Sequence, residues 1–294
     1  MRSQPDRQAL PNRTRVSRSI PRRLVAEGKF HLLPVYALLR TSDLAREGIE
    51  NSGSFRFADH VYRAKASGRY GVGVLLDRVL LRLRGARSMR SRFFHSQRTL
   101  LAALTASDTE RISRHVGTSE NNDPQTQMVL SVPCGVARDL FEVAETLREH
   151  WPVEYARTHF IGLDLDPTPL ELSRQLTRGH PHFTFLHADA LDPSSLPAGI
   201  DAIVSLGFGE FLSDDVLLQF YRSCHAALRD GGRFITSAMS RDRISDYLAR
   251  ELAELHTHYR SSAELGGLLR AAGFTDVQID RDDVGLQTLA VARR

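Results

Sequence analysis

The stretch "VLSVPCGVARDL", from Val129 to Leu140, decides the fold of this chain. A short apolar run ends in Pro-Cys-Gly, and a pattern with helical spacing follows it. Gly135 has no Cβ atom, so it suits a tight turn and lets a ligand approach the backbone. The stretch therefore predicts a strand, a glycine turn and a helix, an arrangement by which many α/β proteins hold a nucleotide-like cofactor.

The same alternation continues to the end of the sequence. Strand-like runs and helical patterns alternate from "QMVLSV" through "HFIGLDLD", "FTFLHAD", "DAIVSLG" and "RFITSAM", and "TDVQIDRDD" and "GLQTLAVARR" then follow each other as strands. Strands that alternate with helices predict a mostly parallel sheet covered on both faces. We therefore expect an α/β, Rossmann-like, seven-stranded sheet with an antiparallel C-terminal edge strand.

The first 120 residues have a different character. Residues 1–23 contain seven arginines against one acidic residue and lack apolar periodicity, which predicts a disordered basic tail. Few aromatic residues interleave with these arginines, so a solvated tail is favoured over one that binds nucleic acid. Residues 24–120 predict a helical N-terminal extension that covers a substrate, and residues 121–294 predict the Rossmann-like domain, with a polar linker at 117–127.

The composition disfavours several other classes of protein. No run approaches the roughly 18 apolar residues of a membrane span, and the first residues lack the apolar core of a signal peptide. We therefore expect a cytoplasmic protein without a membrane or nucleic-acid partner. The two cysteines, Cys134 and Cys224, form neither a disulfide framework nor a zinc-binding spacing, so no metal site is predicted.

Polar residues follow the predicted strands where a ligand would lie, outside the carboxyl ends of a parallel sheet. Asp164 can accept from two vicinal ribose hydroxyls, and Asp189 can accept from an adenine amino group while the Ala190 amide donates to a ring nitrogen. A pyrophosphate requires several free amides at a glycine-rich helix start, but this loop has one glycine, Gly135, and Pro133 has no N–H. This favours a cofactor without phosphates over a nicotinamide or flavin dinucleotide.

The order of these motifs resembles the class I S-adenosylmethionine-dependent methyltransferases over about residues 127–294. The stretch "VLSVPCGVARDL" is similar to their glycine loop, and "FIGLDLDPTPLELSRQ" to their acidic second-strand motif. The stretches "FTFLHADALD" and "IDAIVSLGFGEFLSDD" resemble the adenine motif and the fourth-strand motif. The resemblance implies S-adenosyl-L-methionine as cofactor and methyl transfer to a small-molecule substrate, in bacterial secondary metabolism.

The resemblance also implies which residues hold this cofactor. The backbone at Gly135 would pass the methionine part, and Leu165 would pack on the adenine. Ser131 stands where the family usually has an acid that orders the methionine amino group, and Ala137 stands where it usually has a glycine. The implied cofactor residues are Ser131, Cys134, Gly135, Asp164, Leu165, Asp189, Ala190, Ser205 and Leu206.

Three residues are candidates for the catalytic, acceptor side of the site. Glu210 follows the fourth strand, where it would be either a general base or a helix-start acid that faces solvent. Tyr62 and His95 combine polar tips with apolar neighbours, which suits a pocket lining or a helical cap packed for stability.

Alternative functions stay open at this point. One is an enzyme of the same fold that catalyses another displacement, an elimination or a cyclisation, together with a partner chain. Another is a non-catalytic binding protein with a relic pocket. Either a homodimer or a complex with a partner protein is compatible with the sequence.

Overall fold

The computed structural model describes residues 13–51, 53–106 and 126–294. The helices in these ranges are α1 Arg13–Ala26, α2 Leu32–Leu39, α3 Asp43–Glu50, α4 Phe55–Arg63, α5 Tyr70–Arg82, α6 Arg84–Leu104, α7 Arg138–His150, α8 Pro152–Arg157, α9 Pro167–Leu176, α10 Asp214–Ala227, α11 Arg243–Ala253 and α12 Ser262–Ala271. The strands are β1 Gln127–Ser131, β2 Thr158–Asp164, β3 Phe183–His187, β4 Ile200–Ser205, β5 Leu228–Met239, β6 Thr275–Arg281 and β7 Gln287–Arg293.

The chain divides into two compact units. The first consists of Met1–Arg87 and Asp242–Thr257, and the second of Ser88–Arg241 and His258–Arg294. The sequence placed a single boundary in the linker 117–127, whose residues 117–125 lie outside the described ranges. The division falls within α6 instead, because the apolar residues in its C-terminal half belong to the core of the second unit.

The first unit is helical and has its own apolar core. This core consists of Ile20, Leu24, Leu32, Tyr36, Ile49 and Leu252. Because α1 begins at Arg13 and fully buries Ile20, the prediction of a disordered tail is wrong for residues 13–23. An apolar face forms there despite the many arginines, while residues 1–12 lie outside the described part of the chain.

A buried carboxylate ties together several segments of the first unit. Asp77 on α5 has no exposed surface and accepts hydrogen bonds from the Ser42 hydroxyl at 2.6 Å and from His60 Nε2 at 2.9 Å. The amides of Leu44 and Ser67 also donate to it, at 2.8 and 3.0 Å. Burial acts to raise the pKa of Asp77, but these hydrogen bonds outweigh burial and lower it. The group is therefore a structural anchor for the starts of α3 and α5.

The second unit contains the seven-stranded sheet, in the order β3-β2-β1-β4-β5-β7-β6. The pairs among β1 to β5 are parallel, and β7 is antiparallel to both β5 and β6, which confirms the predicted α/β fold. The antiparallel C-terminal strand lies one place inside the edge rather than at it. The reason is apolar burial, because β7 is almost wholly buried whereas β6 is largely exposed and suits an edge.

Helices cover both faces of this sheet, as the sequence predicts. Side chains alternate between the faces along each strand. Thus Leu130 of β1 belongs to the cluster that contains Leu217 and Leu269, and the adjacent Val129 belongs to the cluster that contains Leu140 and Leu170. Across the described ranges, no helix combines the length and the apolar character needed to cross a membrane.

Candidate functional site

The glycine loop that joins β1 to α7 is fixed by the neighbouring strand. The Cys134 amide donates to the Leu163 carbonyl oxygen at 2.8 Å, and the Gly135 amide donates to Asp164 Oδ2 at 2.8 Å. Gly135 has a φ of +52°, which lies in the left-handed region that favours glycine. The loop therefore stands at the carboxyl end of β1, between β2 and β4, where the strand order of the sheet reverses.

Ser173 on α9 supports the loop from the other side, and sequence reasoning missed it. Its fully buried hydroxyl accepts from the Ala137 amide at 3.0 Å and donates to the Pro169 carbonyl oxygen at 2.7 Å. Ala137 has a φ of −69°, which any L-residue adopts, so the alanine fits where related loops have a glycine. No feature of the sequence marks Ser173, because a serine within a helix has no distinctive signal.

Four amides of the loop are engaged within the protein. The amide of Arg138 donates to the Val136 carbonyl oxygen at 2.6 Å, and the amides of Cys134, Gly135 and Ala137 have the partners given above. A pyrophosphate would need several of these donors to be free. The geometry therefore suits a ligand without phosphate groups.

Asp164 at the end of β2 can serve as the ribose acceptor. Its Oδ2 accepts from the Gly135 amide at 2.8 Å, and its Oδ1 accepts from the Asp166 amide at 2.9 Å. A carboxylate offers about four lone-pair sites, so both oxygens can also accept from vicinal hydroxyls. Burial raises the pKa of Asp164, and the two amides partly oppose this shift. The adjacent Leu165 side chain is 60% exposed and presents an apolar surface beside the carboxylate.

The ends of β2 and β3 are joined by hydrogen bonds. The Ala188 amide donates to the Asp164 carbonyl oxygen at 3.1 Å, and the partly buried Asp189 accepts from the Leu191 amide at 3.0 Å through Oδ1. Ala190 is buried. The predicted ribose and adenine residues therefore lie at adjacent strand ends in one unit, as their order in the sequence suggested.

The end of β4 forms the neighbouring part of the site. Ser205 is buried, and its carbonyl oxygen accepts from the Thr236 hydroxyl at 2.9 Å. Leu206 packs on the cluster formed with α7 and α9. Gly207 then turns the chain with a φ of +77°, and its amide donates to the Ser237 hydroxyl at 3.1 Å.

Ser131 at the end of β1 contacts an acidic residue that the sequence did not single out. Its hydroxyl donates to Asp139 Oδ2 at 3.1 Å. Burial raises the pKa of Asp139 to about 6, against opposing hydrogen bonds from the Leu140 amide and Ser131. In the sequence, Asp139 has the pattern of an ordinary acid in the first turn of a helix, which explains why it was missed.

Cys134 is a buried thiol rather than a nucleophile. Its burial raises the pKa of the thiol well above the usual value, and the charges of Asp164 and Asp139 raise it further. The thiolate is the reactive form of cysteine, so this side chain stays unreactive at neutral pH. The same two carboxylates make the surroundings of the loop negative and favourable for a positively charged ligand.

Glu210 forms an ion pair that the sequence did not predict. Arg92 Nη1 on α6 donates to Glu210 Oε1 at 2.9 Å, and the two side chains are 4% and 13% exposed. A Cβ atom on Gly207 would lie 3.0 Å from the same Arg92 nitrogen, so the guanidinium lies directly against this glycine. The interpretation of Glu210 as an acid that faces solvent is therefore wrong, while a role as a base remains a prediction.

The other two catalytic candidates lie in different places. His95 Nε2 on α6 is 3.7 Å from Asp280 Oδ2 on the edge strand β6. Tyr62 on α4 belongs to the first unit. Their roles remain predictions. Among the described residues, no group of three or more His, Cys, Asp or Glu side chains is arranged to hold a metal ion.

Comparisons with known proteins match part of this second unit to a family model. Residues 130–234 match the family described as "Methyltransferase domain". A "probable S-adenosylmethionine-dependent methyltransferase" from Mycolicibacterium smegmatis is 32% identical over 114 residues, which cover 39% of this chain and 42% of the relative. The match thus spans less than half the length of that relative.

Solved structures share the fold at low sequence identity. A possible exported protein from Bordetella parapertussis has a TM-score of 0.75 and 20% identity, over 98% of this chain and 97% of its own. The magnesium protoporphyrin IX methyltransferase of Synechocystis PCC 6803, with bound SAH, has a TM-score of 0.53 and 13% identity, over 85% of this chain and 98% of its own. The match with the methyltransferase-domain model covers residues 130–234, which contain the glycine loop and the ends of β2, β3 and β4.

Proposed function

We propose that this protein transfers a methyl group from S-adenosylmethionine to a small molecule. The observation that carries this proposal is the Asp164 carboxylate, which accepts from the amide of Gly135 in the glycine loop and stands at the switch point of the sheet. The occupied loop amides add support, because they disfavour a ligand with phosphates. The cofactor supplies an electrophilic methyl group when it is bound.

The contribution of the chain is to bind, orient and exclude water. Asp164 accepts from the ribose hydroxyls, Leu165 packs on the adenine, and Asp189 with Ala190 meets the adenine edge. The rigid loop fixes the methionine part, since Ser173 and the end of β2 hold it on both sides. Alignment of donor and acceptor is a major contribution to the rate of such a displacement.

The acceptor side of the site is proposed at the end of β4, near Ser205 and Glu210. The Arg92–Glu210 pair gives this side a charged, hydrogen-bonding character in a mostly buried setting. A base there is needed only when the acceptor must lose a proton, as a hydroxyl must. His95 is a further proposed contact of the acceptor, and the catalytic role of Tyr62 remains a prediction. A bacterial secondary-metabolic role, a cytoplasmic location and a homodimer or partner protein remain predictions.

Binding of S-adenosylhomocysteine to the Asp164→Asn variant tests the proposal. Asparagine keeps an oxygen for the Gly135 amide but loses the charge that holds the ribose. The loss of a charged hydrogen bond predicts binding that is about 10- to 100-fold weaker by calorimetry. Asp166→Asn is the matched control, because Asp166 is exposed and its Oδ1 accepts from the Thr168 amide at 2.8 Å, an N-cap role that asparagine retains.

Two results would contradict the proposal. One is a parent protein that binds neither S-adenosylmethionine nor S-adenosylhomocysteine. The other is an Asp164→Asn variant that binds as tightly as the Asp166→Asn control. Binding without turnover on a panel of small hydroxyl, amine and carbon acceptors would favour a different reaction in the same pocket.

A further inference from the structure

Helix α5 in the first unit presents apolar side chains to solvent and a carboxylate to the interior. Its buried positions are Gly73, Asp77 and Leu81. On its other side, residues three or four positions apart share one face and form an apolar stripe. The stripe consists of Val72, Leu75, Val79 and Leu83, which are 51%, 58%, 49% and 52% exposed. This is the reverse of the usual surface helix, whose apolar side faces the core.

The surroundings of the stripe enlarge the exposed apolar surface. Tyr70, just before the stripe, is 82% exposed and has a φ of +58°, a strained conformation for a bulky residue. Helix α2 packs against α5 and exposes Val35 and Leu38. Single exposed apolar residues are ordinary on a protein surface, whereas a group of them on one face indicates an interaction site.

Positive charge flanks the stripe. The segment 69–87 contains five arginines, and its one acidic residue, Asp77, is fully buried. Arg78 and Arg82 are exposed on α5, while Arg69 precedes this helix and Arg87 follows it in α6. Within the described part of the chain, no carboxylate pairs with these four arginines. Their charge is therefore available to an anionic partner.

The acids of the neighbouring helices do not compensate this charge. They have partners of their own: Asp43 pairs with Arg46 at 2.6 Å, Glu50 with Arg40 at 2.7 Å and Asp59 with Arg63 at 3.9 Å, and Glu47 accepts from Asn51 and Ser54. The charge of Arg84, the fifth arginine of the segment, acts on Asp242. The stripe and the four arginines thus form one basic, apolar face.

We propose that this face of α5 docks on an anionic lipid surface. The helix lies in the plane of the interface, with the stripe at the boundary between headgroups and acyl chains and the guanidinium groups at the headgroup phosphates. Such binding needs no membrane-spanning helix, so it changes only the expectation that the protein has no membrane partner. The inference goes beyond the proposed function and does not depend on it.

The combination of charge and apolar surface favours a bilayer over other occupants. Two copies paired through this face would bring the same arginines together, and like charges oppose such pairing. A nucleic acid would satisfy the arginines through its phosphates but leave the stripe in water. An anionic bilayer meets both requirements, because it is apolar within and negatively charged at its surface.

Cosedimentation of the full chain with vesicles tests the proposal. Each arginine near an anionic surface contributes about fivefold in affinity, so vesicles of phosphatidylglycerol and phosphatidylcholine should bind the parent at least about 100-fold better than phosphatidylcholine alone at low ionic strength. The double variant Arg78→Gln, Arg82→Gln should bind about 25-fold more weakly than the parent. The double variant Leu75→Ser, Val79→Ser should lose at least about 10-fold, because two apolar side chains no longer enter the interface.

Matched variants on the second unit control for composition and net charge. Val153→Ser with Leu172→Ser removes an exposed valine and an exposed leucine from α8 and α9. Arg178→Gln with Arg222→Gln removes two exposed arginines. Both controls should bind vesicles within about threefold of the parent, since the attraction falls off within a Debye length of the surface. All four double variants change exposed residues, so their melting temperatures should stay within about 3 °C of the parent.

A fluorescent label locates the contact. The two native cysteines are buried, so an environment-sensitive fluorophore on a Val79→Cys variant reports on the stripe alone. Its emission should shift to the blue and strengthen with anionic vesicles. The same label on Val153→Cys, which lies on α8, should not respond.

The outcomes decide the proposal. Anionic-selective binding that both α5 variants lose and both controls keep, with a response of the Val79 label, supports it. A parent that binds neither kind of vesicle, or binds both alike, overturns it. Binding that the arginine variant loses but the stripe variant keeps overturns it as well, because the contact would then be electrostatic alone. A parent that is dimeric by light scattering and becomes monomeric in the stripe variant would assign the face to a second copy instead.

Discussion

Removal of the Glu210 carboxylate should destabilise the second unit strongly. The Arg92 guanidinium is 4% exposed, and its Nη1 donates to Glu210 Oε1 at 2.9 Å. Gln287 Oε1 lies 3.5 Å from the same nitrogen, which is too far for a strong replacement. Glu210→Ala therefore removes the carboxylate that pairs with a buried charge, and loss of one partner of a buried pair costs about 3–5 kcal/mol. Glu210→Gln keeps an oxygen acceptor, so we expect a smaller cost of about 1–2 kcal/mol.

A double variant separates the pair from its surroundings. Arg92→Met with Glu210→Leu removes both charges and approximately conserves volume, a change that is often neutral for a buried ion pair. Each single variant, Arg92→Met or Glu210→Leu, lowers the free energy of unfolding. We expect the double variant to lose less than these two losses added together, by about 2 kcal/mol or more. This difference is the coupling energy of two residues in contact.

Trp151 makes the measurement specific to one unit. It is the only tryptophan in the sequence and lies in the second unit, so its fluorescence follows the unfolding of that unit in urea. The free energies come from linear extrapolation to zero denaturant. Two results would contradict this reasoning. One is a Glu210→Ala variant whose free energy of unfolding changes by less than about 0.5 kcal/mol. The other is a double variant whose loss of free energy equals the sum of the losses of the two single variants, because Arg92 and Glu210 would then not be coupled. A loss of turnover in Glu210→Gln at unchanged S-adenosylhomocysteine affinity would add a role as a base.

Two further predictions concern particular residues. Gly207→Ala should destabilise the second unit by about 1–2 kcal/mol more than Gly285→Ala, because both glycines have positive φ but only at Gly207 would the new Cβ meet the Arg92 guanidinium, at 3.0 Å. Urea unfolding followed by Trp151 fluorescence measures this difference, and equal costs would exclude the contact. In the first unit, Asp77→Ala should lower the free energy of unfolding by about 3 kcal/mol or more, because the Ser42 hydroxyl and the amides of Leu44 and Ser67 lose their acceptor. Asp77→Asn should lower it by less. Because the pKa of Asp77 is lowered in the folded state, the carboxylate stabilises the fold above about pH 4, and this stabilisation is lost as the pH falls through the folded-state pKa. Circular dichroism melts below pH 4 should therefore show a steeper fall in melting temperature for the parent than for Asp77→Asn. Parallel falls would contradict this prediction.

The sequence by itself determined the elements of the second unit and their order. Alternating apolar runs and helical periods located every strand from β1 to β7, because the periods of strands and helices are properties of neighbouring residues. The same local signals placed Gly135, Asp164 and Asp189 after successive strands. Since parallel strands end at one edge of the sheet, this order was enough to bring these three residues to the same edge.

The tertiary structure decided the contacts between distant parts of the chain. Arg92 and Glu210 are 118 positions apart, and no periodicity encodes their pairing. The support that α9 gives the glycine loop through Ser173 and the hydrogen bond between Ser131 and Asp139 also depend on how helices pack on the sheet. The place of β7 inside the sheet depends on which of two adjacent strands buries more apolar surface. Local sequence fixes dihedral preferences and amphipathic faces, whereas the partner of a buried charge depends on the three-dimensional packing that brings the two groups together.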